Sequence, residues 1–232
     1  MNELSYFINA LLLFTQSRRY LEIGVMAGVT FNQVTNHTTK TGVDPKFLFP
    51  IDQYSSPSSR FETVTSDEFF KGNKNIYDVV FLDGLHTFEQ TLRDLVSAIS
   101  ILSYENSFIL IDDIWPTDLY SSVSDQELCY ELRRETFGSS KIPMDWRGDV
   151  YKIIFFAESY LPSWKSSIVV EEDGGNHRLI LHRGTSKSLA STSRSLEEIE
   201  RMDYLTFRKM RSDLVLTTNN DFLRQQLPPA GY

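Results

Sequence analysis

Cysteine is nearly absent from the 232-residue sequence, and Cys129 is its only instance. A single thiol can form no intramolecular disulfide, and it cannot build a cysteine cluster for a metal ion. Chains without disulfides are typical of reducing compartments, so we expect a cytoplasmic protein.

Long apolar runs are missing as well. The most apolar N-terminal run, FINALLLF, is much shorter than the ~20 residues that a membrane-spanning helix needs. Glu3 precedes it, and no basic residue does, which is unlike a signal peptide. We interpret this run as a helix packed on the body of the protein, and we expect no membrane segment.

Basic residues are too few and too scattered to form a nucleic-acid-binding surface. The chain has 23 Lys and Arg against 31 Asp and Glu, and its formal net charge is -8. No run of Lys or Arg is long enough to neutralise a phosphate backbone. Nucleic acid is therefore not an expected partner, and a small molecule is the expected acceptor.

Apolar strand-like runs alternate with helical stripes through most of the chain. The strand-like runs are RRYLEIG, KTGVDP, FETVT, YDVVFLDG and SFILIDD. This alternation predicts a doubly wound, mostly parallel α/β sheet. Further on, SSIVVEEDGGNHRLILHRG predicts an antiparallel terminal hairpin, since its glycines suit a turn that needs positive φ angles.

The C-terminal part differs in composition from the rest. We predict one domain over residues 1–184, followed at 185–232 by a linker, TSKSLASTSRS, and a helical extension. LEEIERMDYLTFRKMRSDL predicts a charged amphipathic helix, and NDFLRQQL a short last one. The apolar face of the first helix could cover its own domain or a second subunit, and we expect a homodimer. That face comprises Leu196, Ile199, Met202, Leu205 and Met210.

Two glycines follow the first predicted strand in YLEIGVMAGVT. Gly24 and Gly28 let a ligand approach the backbone over the strand end. Dinucleotide enzymes use the tighter G-x-G-x-x-G, whose middle position is Met26 here, so the wide spacing suits a ligand without phosphate. Asp44, at about twenty residues further on, can accept hydrogen bonds from both hydroxyls of a ribose. A nucleoside without phosphate points to S-adenosylmethionine (SAM).

The ordered set LEIGVMAGVT, GVDP, TSDEFF, YDVVFLDGLHTFEQTLRDL and FILIDDI resembles the class I SAM-dependent methyltransferases. The D-G-x-H sequence is most similar to their methyltransferase-24-like branch, and the resemblance covers roughly residues 15 to 185. It implies a Rossmann-like methyltransferase fold with SAM as the cofactor. Glu22 and Gly24 would line the methionine part of SAM, and Ser66 with Asp67 the adenine edge. The predicted cofactor-binding residues are Glu22, Gly24, Gly28, Asp44, Ser66, Asp67 and Asp83.

Three carboxylates follow two strands that are neighbours in a sheet of this type. Asp83 comes after the fourth strand, and Asp112 with Asp113 after the fifth. Crowded carboxylates repel one another, so a proton or a hard divalent ion such as Mg²⁺ would stabilise them. The resemblance implies that Asp83, Asp112 and Asp113 are metal ligands and that His86 is the catalytic base. An Asp-Gly turn and an acidic helix cap are the structural alternatives.

The segment WRGDVYK also resembles the methyltransferase-24-like branch. This resemblance implies that Trp146, Arg147 and Asp149 border the acceptor pocket. We expect Asp149 to cap a helix that begins at Val150.

These features predict a SAM-dependent O-methyltransferase that acts on a small-molecule hydroxyl, of a sugar, glycoside or secondary metabolite. Assistance by a divalent metal such as Mg²⁺ is part of this prediction. One alternative is a SAM-binding relative with a different or lost activity. Another is a nicotinamide-dependent oxidoreductase or epimerase, which the missing middle glycine disfavours.

Overall fold

A computed structural model describes residues 1–103, 106–138, 145–184 and 193–226. The described residues form an eight-stranded sheet with the strand order β3-β2-β1-β4-β5-β7-β6-β8. The strands are β1 (Arg19–Ile23), β2 (Thr39–Val43), β3 (Ser59–Glu62), β4 (Val79–Leu82), β5 (Phe108–Ile111), β6 (Trp164–Val170), β7 (His177–Arg183) and β8 (Leu216–Thr218). The α-helices are α1 (Glu3–Phe14), α2 (Ser66–Gly72), α3 (Phe88–Ile101), α4 (Gln126–Phe137), α5 (Lys152–Tyr160), α6 (Leu196–Glu200), α7 (Tyr204–Met210) and α8 (Asn219–Gln226).

The sheet is mostly parallel, as the sequence predicts. Strands β1 to β5 run parallel to one another, and β7 alone is antiparallel, both to β5 and to β6. The predicted hairpin is therefore β6–β7, and β8 pairs in parallel with β6 at the edge of the sheet. This is the doubly wound, Rossmann-like arrangement.

Helices cover both faces of the sheet, because side chains of a strand point alternately to either side. All four residues of β4 and of β5 are buried, as expected for central parallel strands. Val80 and Ile109 face a core with α3 and α5. Phe81 and Leu110 face a second core with α1 and α8. Burying each such side chain contributes roughly 1.5–3 kcal/mol to folding.

The C-terminal segment adds to the same sheet and cores. The single helix predicted over LEEIERMDYLTFRKMRSDL is wrong, because α6 ends at Glu200 and α7 begins at Tyr204. Asp203 separates them and caps α7 by accepting a hydrogen bond from the Thr206 N–H. Ile199 is fully buried within this chain, while Leu205 is exposed. The homodimer and the domain boundary after residue 184 stay predictions, and residues 185–192 of the linker lie outside the described part.

No helix within the described ranges is long and apolar enough to cross a membrane.

Candidate active site

A cleft of about 820 Å³ opens at the carboxyl ends of β1, β2, β4 and β5. In a parallel sheet the chain leaves each strand at this edge before it enters a helix, so loops from several strands meet there. Five of the predicted cofactor-binding residues line the cleft, and they are Gly24, Asp44, Ser66, Asp67 and Asp83.

The turn after β1 depends on a glycine. Gly24 has a φ of +87°, and a Cβ atom at this position would lie 1.8 Å from the carbonyl oxygen of Asp83. No side chain fits there, so β1 and β4 can bring their loops together only around this glycine. Met26 follows with a φ of +43°, an uncommon conformation for a residue with a side chain. Its side chain is 58% exposed at the cleft.

Asp44 is held in place by the same turn. One carboxylate oxygen accepts a hydrogen bond from the Met26 N–H at 2.8 Å, and the other accepts one from the Lys46 N–H at 2.7 Å. A carboxylate has about four acceptor sites, so roughly two remain for a ligand. Asp44 is thus a preoriented acceptor at the end of β2.

The start of α2 is fixed against α3. Thr65 caps α2, which places Ser66 and Asp67 in its first turn at the cleft. The Gln90 Nε2 amide lies 3.1 Å from Ser66 Oγ, 3.2 Å from Asp67 Oδ1 and 3.0 Å from the buried Asp94 Oδ1. The sequence analysis missed Gln90, because helical periodicity does not reveal a contact with a different helix.

Two predicted cofactor-binding residues lie away from the described lining of the cleft. Glu22 points to the opposite face of the sheet from Ile23, and it is only 2% exposed. Burial raises the pKa of Glu22 to about 8, although a hydrogen bond of 2.5 Å from the Tyr20 hydroxyl opposes this. Gly28 has a φ of +72° and packs next to Asn32 and Phe49.

His86 lies between two of the predicted metal-binding carboxylates. Its Nε2 atom is 3.1 Å from Asp113 Oδ2 and 3.5 Å from Asp83 Oδ1. One ligand atom from each of these three residues can be chosen so that all lie within 4.8 Å of one another. Asp113 has a φ of +57°, a left-handed conformation that Asp tolerates better than most residues. It directs its carboxylate at His86.

The carboxylate of Asp112 has a different partner. Its Oδ2 is 3.2 Å from Arg178 Nε, and its Oδ1 accepts the Asp113 N–H at 2.9 Å. Arg178 also pairs with Glu171 at 2.9 Å and is only 3% exposed. Asp112 still lines the cleft. The structure therefore groups Asp83 and Asp113 with His86, and not with the Asp112 carboxylate as the sequence analysis expected.

The charges in this cluster shift one another's protonation. Burial raises the pKa of Asp113, and the charge of Asp112 raises it further. Burial also raises the pKa of Asp83. Burial alone would lower the pKa of His86, but the hydrogen bond to Asp83 and the charge of Asp113 outweigh it and raise that pKa. The favoured state of the free cluster is a protonated imidazole between the two carboxyl groups.

The segment after residue 144 holds His86 from the other side. The Trp146 carbonyl oxygen is 2.9 Å from His86 Nδ1, and Arg147 Nη1 is 3.8 Å from Asp113 Oδ1. Gly148 has a φ of +57°, and a Cβ atom there would lie 1.6 Å from the His86 carbonyl oxygen. The sequence analysis missed Gly148, although this glycine lies within WRGDVYK, the segment predicted to border the acceptor pocket.

Asp149 does not cap the helix that we predicted to begin at Val150. That helix, α5, begins at Lys152 and has no side-chain cap. Asp149 Oδ1 instead accepts the Phe88 N–H at 2.7 Å, at the start of α3, and its Oδ2 is 2.9 Å from Lys152 Nζ. Asp149 thereby joins the segment to the helix that follows His86.

No family model and no curated protein sequence matches the chain. Several solved structures resemble it. A protein from Klebsiella pneumoniae provisionally named an O-methyltransferase is 12% identical, with a TM-score of 0.51 over 80% of this chain and 81% of that one. The O-methyltransferase TomG from Streptomyces achromogenes, involved in tomaymycin synthesis and solved with SAM, is 10% identical, with a TM-score of 0.50 over 78% and 79%. An rRNA methylase from Streptococcus thermophilus is 5% identical, with a TM-score of 0.52 over 80% and 98%.

At these identities the likeness establishes the fold and not the activity. The narrower resemblance to the methyltransferase-24-like branch stays a prediction, since no family model matches the chain. The chain has the Rossmann-like fold found in SAM-dependent methyltransferases.

Proposed function

We propose that this protein is a SAM-dependent O-methyltransferase that acts on a hydroxyl of a small molecule. The observation that carries the proposal is the joint placement of Asp44 and the Asp83–His86–Asp113 cluster in one cleft. Asp44 is a preoriented acceptor for two hydroxyls, and the cluster can hold a proton. A carboxylate that can bind a ribose thus lies in the same cleft as a group that can accept the proton of a hydroxyl, and such a group can assist methyl transfer from SAM.

The chemistry of the cleft fits a phosphate-free, positively charged nucleoside. Carboxylates line it, and no Lys or Arg side chain does among the described residues. Such a lining favours a sulfonium cation and offers no Lys or Arg side chain to a diphosphate. When bound, SAM would supply an electrophilic methyl group, which would pass to the acceptor oxygen as the carbon–sulfur bond breaks and S-adenosylhomocysteine leaves. Asp44 would hold the ribose hydroxyls, and Ser66 with Asp67 would border the adenine.

Within the cluster, His86 and Asp113 would take the proton of the acceptor hydroxyl. The distance of 3.1 Å between His86 Nε2 and Asp113 Oδ2 lets the pair share a proton. His86 Nε2 faces the cleft, because the Trp146 carbonyl engages Nδ1. In the free cluster His86 Nε2 already carries a proton. That proton must leave before Nε2 can accept the proton of the acceptor hydroxyl. Holding the hydroxyl in line with the methyl group could contribute roughly 7–11 kcal/mol to catalysis.

Alternatively, the same three side chains could hold a divalent ion, with His86 Nε2 as a ligand and not as the proton acceptor. Asp83 and Asp113 offer carboxylate oxygens, and His86 offers Nε2. Like charges and burial raise the pKa of both carboxyl groups, so a cation would be stabilised there. Two oxygens and one imidazole nitrogen suit Mn²⁺ or another transition metal as well as Mg²⁺. A bound ion would lower the pKa of an acceptor hydroxyl.

The outer part of the cleft supports an uncharged acceptor. Gln126 and Tyr130 of α4, Trp146 and Asn176 lie there. Amide and phenol groups can bind hydroxyls, and aromatic rings can cover the apolar face of a sugar. With five Asp side chains and no Lys or Arg in the described lining, a phosphorylated acceptor or a nucleic acid would meet more repulsion than attraction. A sugar, a glycoside or another hydroxylated metabolite fits this surface.

The proposal is tested by calorimetric titration with S-adenosylhomocysteine and, separately, with NAD. We expect S-adenosylhomocysteine to bind at least tenfold more tightly than NAD. The variant Asp44→Ala should lose this binding, whereas Asp52→Ala, which removes an exposed carboxylate in the adjacent loop, should keep it. Tighter binding of NAD, or unchanged binding by Asp44→Ala, would refute the cofactor assignment.

A further inference from the structure

A second concavity lies at the opposite end of the sheet, at the amino ends of β1, β2 and β3. Its volume is about 180 Å³. Liquid water takes about 30 Å³ per molecule, so the pocket has room for about six waters. Strand β2 links the two sites, because Thr39 at its start lines this pocket and Asp44, just after its end, lines the cleft.

Side chains from three strands converge on this pocket. The strand register pairs Arg19 with Thr39, and Thr41 with Arg60. Paired residues of neighbouring strands point to the same face, and residues two apart on one strand do so as well. All four side chains therefore lie on one face, and they line the pocket together with Tyr77, which precedes β4.

The guanidinium groups of Arg19 and Arg60 both have N–H donors available for a ligand. Asp78 accepts hydrogen bonds from Arg19 Nε and Nη2, each at 3.0 Å. A guanidinium has five N–H donors, so about three on Arg19 remain. Arg60 is exposed and takes part in no ion pair within the described ranges. Asp78 balances the charge of Arg19, so Arg60 supplies the uncompensated positive charge. Two guanidinium groups with available N–H donors thus flank Thr39 and Thr41 of β2.

The hydroxyl of Thr41 is also an available donor. Thr41 is 7% exposed, and its Oγ1 accepts a hydrogen bond of 3.1 Å from the Tyr77 hydroxyl. Because Tyr77 is the donor in this bond, the proton of Thr41 is left for a further acceptor. A hydroxyl that accepts one hydrogen bond becomes a stronger donor in the next through polarisation.

We propose that this pocket binds a small tetrahedral oxyanion such as phosphate or sulfate. Its described lining carries positive charges and hydroxyl or amide donors, and it contains no Asp or Glu. That composition is opposite to the net charge of -8 of the whole chain. Charge-assisted hydrogen bonds from Arg19 and Arg60 would hold the anion, and Thr41 would bind one of its oxygens.

The volume of the pocket matches a free anion, and a nucleoside esterified to that anion would lie outside the pocket. A tetrahedral oxyanion has five heavy atoms and fits within the volume of about six waters. The cleft at the other end of the sheet is more than four times larger, at about 820 Å³ against about 180 Å³. The site is independent of the proposed methyltransferase activity, since it shares no lining residue with the cleft.

The test is calorimetric titration of the 232-residue chain with inorganic phosphate, at constant ionic strength kept with potassium chloride. We expect saturable binding, with sulfate competing. Arg60→Gln should weaken it by at least about tenfold, because a charge-assisted contact is lost. Thr41→Val, which keeps the shape and removes the donor, should weaken it by about threefold or more. Arg208→Gln on α7 makes the same change of charge on an exposed surface and should leave it unchanged.

The melting temperature without phosphate shows whether each variant is folded. Titration with AMP separates a free anion from a phosphate ester, and AMP should bind no more tightly than phosphate. Absence of saturable phosphate binding would overturn the proposal. Tighter binding of AMP than of phosphate would also overturn it. So would an equal loss of phosphate affinity in Arg60→Gln and Arg208→Gln, because the net charge of the protein would then explain the loss. Binding of S-adenosylhomocysteine, measured in the same samples, reports on the cleft separately.

Discussion

The imidazole of His86 stacks on the indole of Trp146, with ring centroids 4.9 Å apart and planes 21° from parallel. The Trp146 carbonyl oxygen lies 2.9 Å from His86 Nδ1, so one residue contacts both the ring face and one nitrogen. A carbonyl only accepts, so Nδ1 carries the proton whenever this bond is present. The other nitrogen, Nε2, is thereby presented to Asp83 and Asp113. The orientation of His86 thus depends on a segment sixty residues further along the chain.

Gly148→Ala tests whether this segment must lie directly against His86. The added Cβ would lie 1.6 Å from the His86 carbonyl oxygen, and the residue has a φ of +57°. Backbone strain and overpacking together should lower the free energy of unfolding by roughly 2–5 kcal/mol. Urea denaturation measures the loss.

Gly174→Ala is the matched control for that substitution. Gly174 has a φ of +80°, but a Cβ atom there would meet no atom within 4 Å. Only the conformational cost applies, and we expect a loss of about 1–2 kcal/mol. If both variants lost the same free energy, the close approach of Gly148 to His86 would not matter for stability.

Asp83→Asn and Asp113→Asn test the proposed divalent ion. Each change removes one anionic oxygen from a group whose ligand atoms lie within 4.8 Å of one another. We expect Mn²⁺ to bind the unaltered protein, and each variant to bind it at least tenfold more weakly, measured by calorimetry. Asp67→Asn removes an exposed carboxylate of the same cleft and should retain the affinity. Equal affinity in all four proteins would place the ion elsewhere.

The buried Arg178 supports a prediction about stability. Its removal in Arg178→Met leaves Asp112 and Glu171 without their partner, so the free energy of unfolding should fall by about 3–5 kcal/mol. Asp112→Asn should cost less, because an amide oxygen can still accept the Asp113 N–H. The double variant should be more stable than the sum of the two losses implies, by about 1 kcal/mol or more in urea denaturation. If the two losses were additive, the ion pair between Arg178 and Asp112 would contribute little to the free energy of unfolding.

Much of the site could be predicted because strand ends are visible in a sequence. The apolar runs that form β2, β4 and β5 end where the polar residues begin, and in a parallel sheet these ends meet at one edge. Asp44, Asp83 and Asp113 were therefore placed correctly beside the cleft. The confirmed strands include the shortest central ones, of four residues each.

Side-chain direction and long-range contacts could not be predicted. Adjacent residues at a strand end point in different directions, so the sequence does not say which of Asp112 and Asp113 faces His86. The partner of Asp112 is Arg178, on a strand 66 residues away. Asp149 seemed a local helix cap, but its hydrogen bond reaches Phe88, 61 residues earlier. Strand β8 has three residues, too few for any alternation to indicate it.

We expect His182 to make the free energy of unfolding depend on pH in the acid range. It packs between Phe108 and Phe222, at ring-centroid distances of 5.7 and 6.0 Å. Burial lowers its pKa to about 4, and the charge of Lys165 adds to the effect. The unfolded chain binds a proton near the ordinary value of ~6.5, before the folded chain does, so stability falls as pH falls from about 6.5 to about 4.

His182→Gln removes the group that titrates. The free energy that the native protein loses between pH 6.5 and pH 4 should then shrink by about 1–2 kcal/mol, which allows for solvent screening at a partly exposed side chain. Urea denaturation at several pH values measures both slopes. Lys165→Met should shrink the loss by a smaller amount, because only the repulsion is removed and the burial of the imidazole remains. Parallel curves for the native protein and His182→Gln would mean that other groups cause the acid sensitivity.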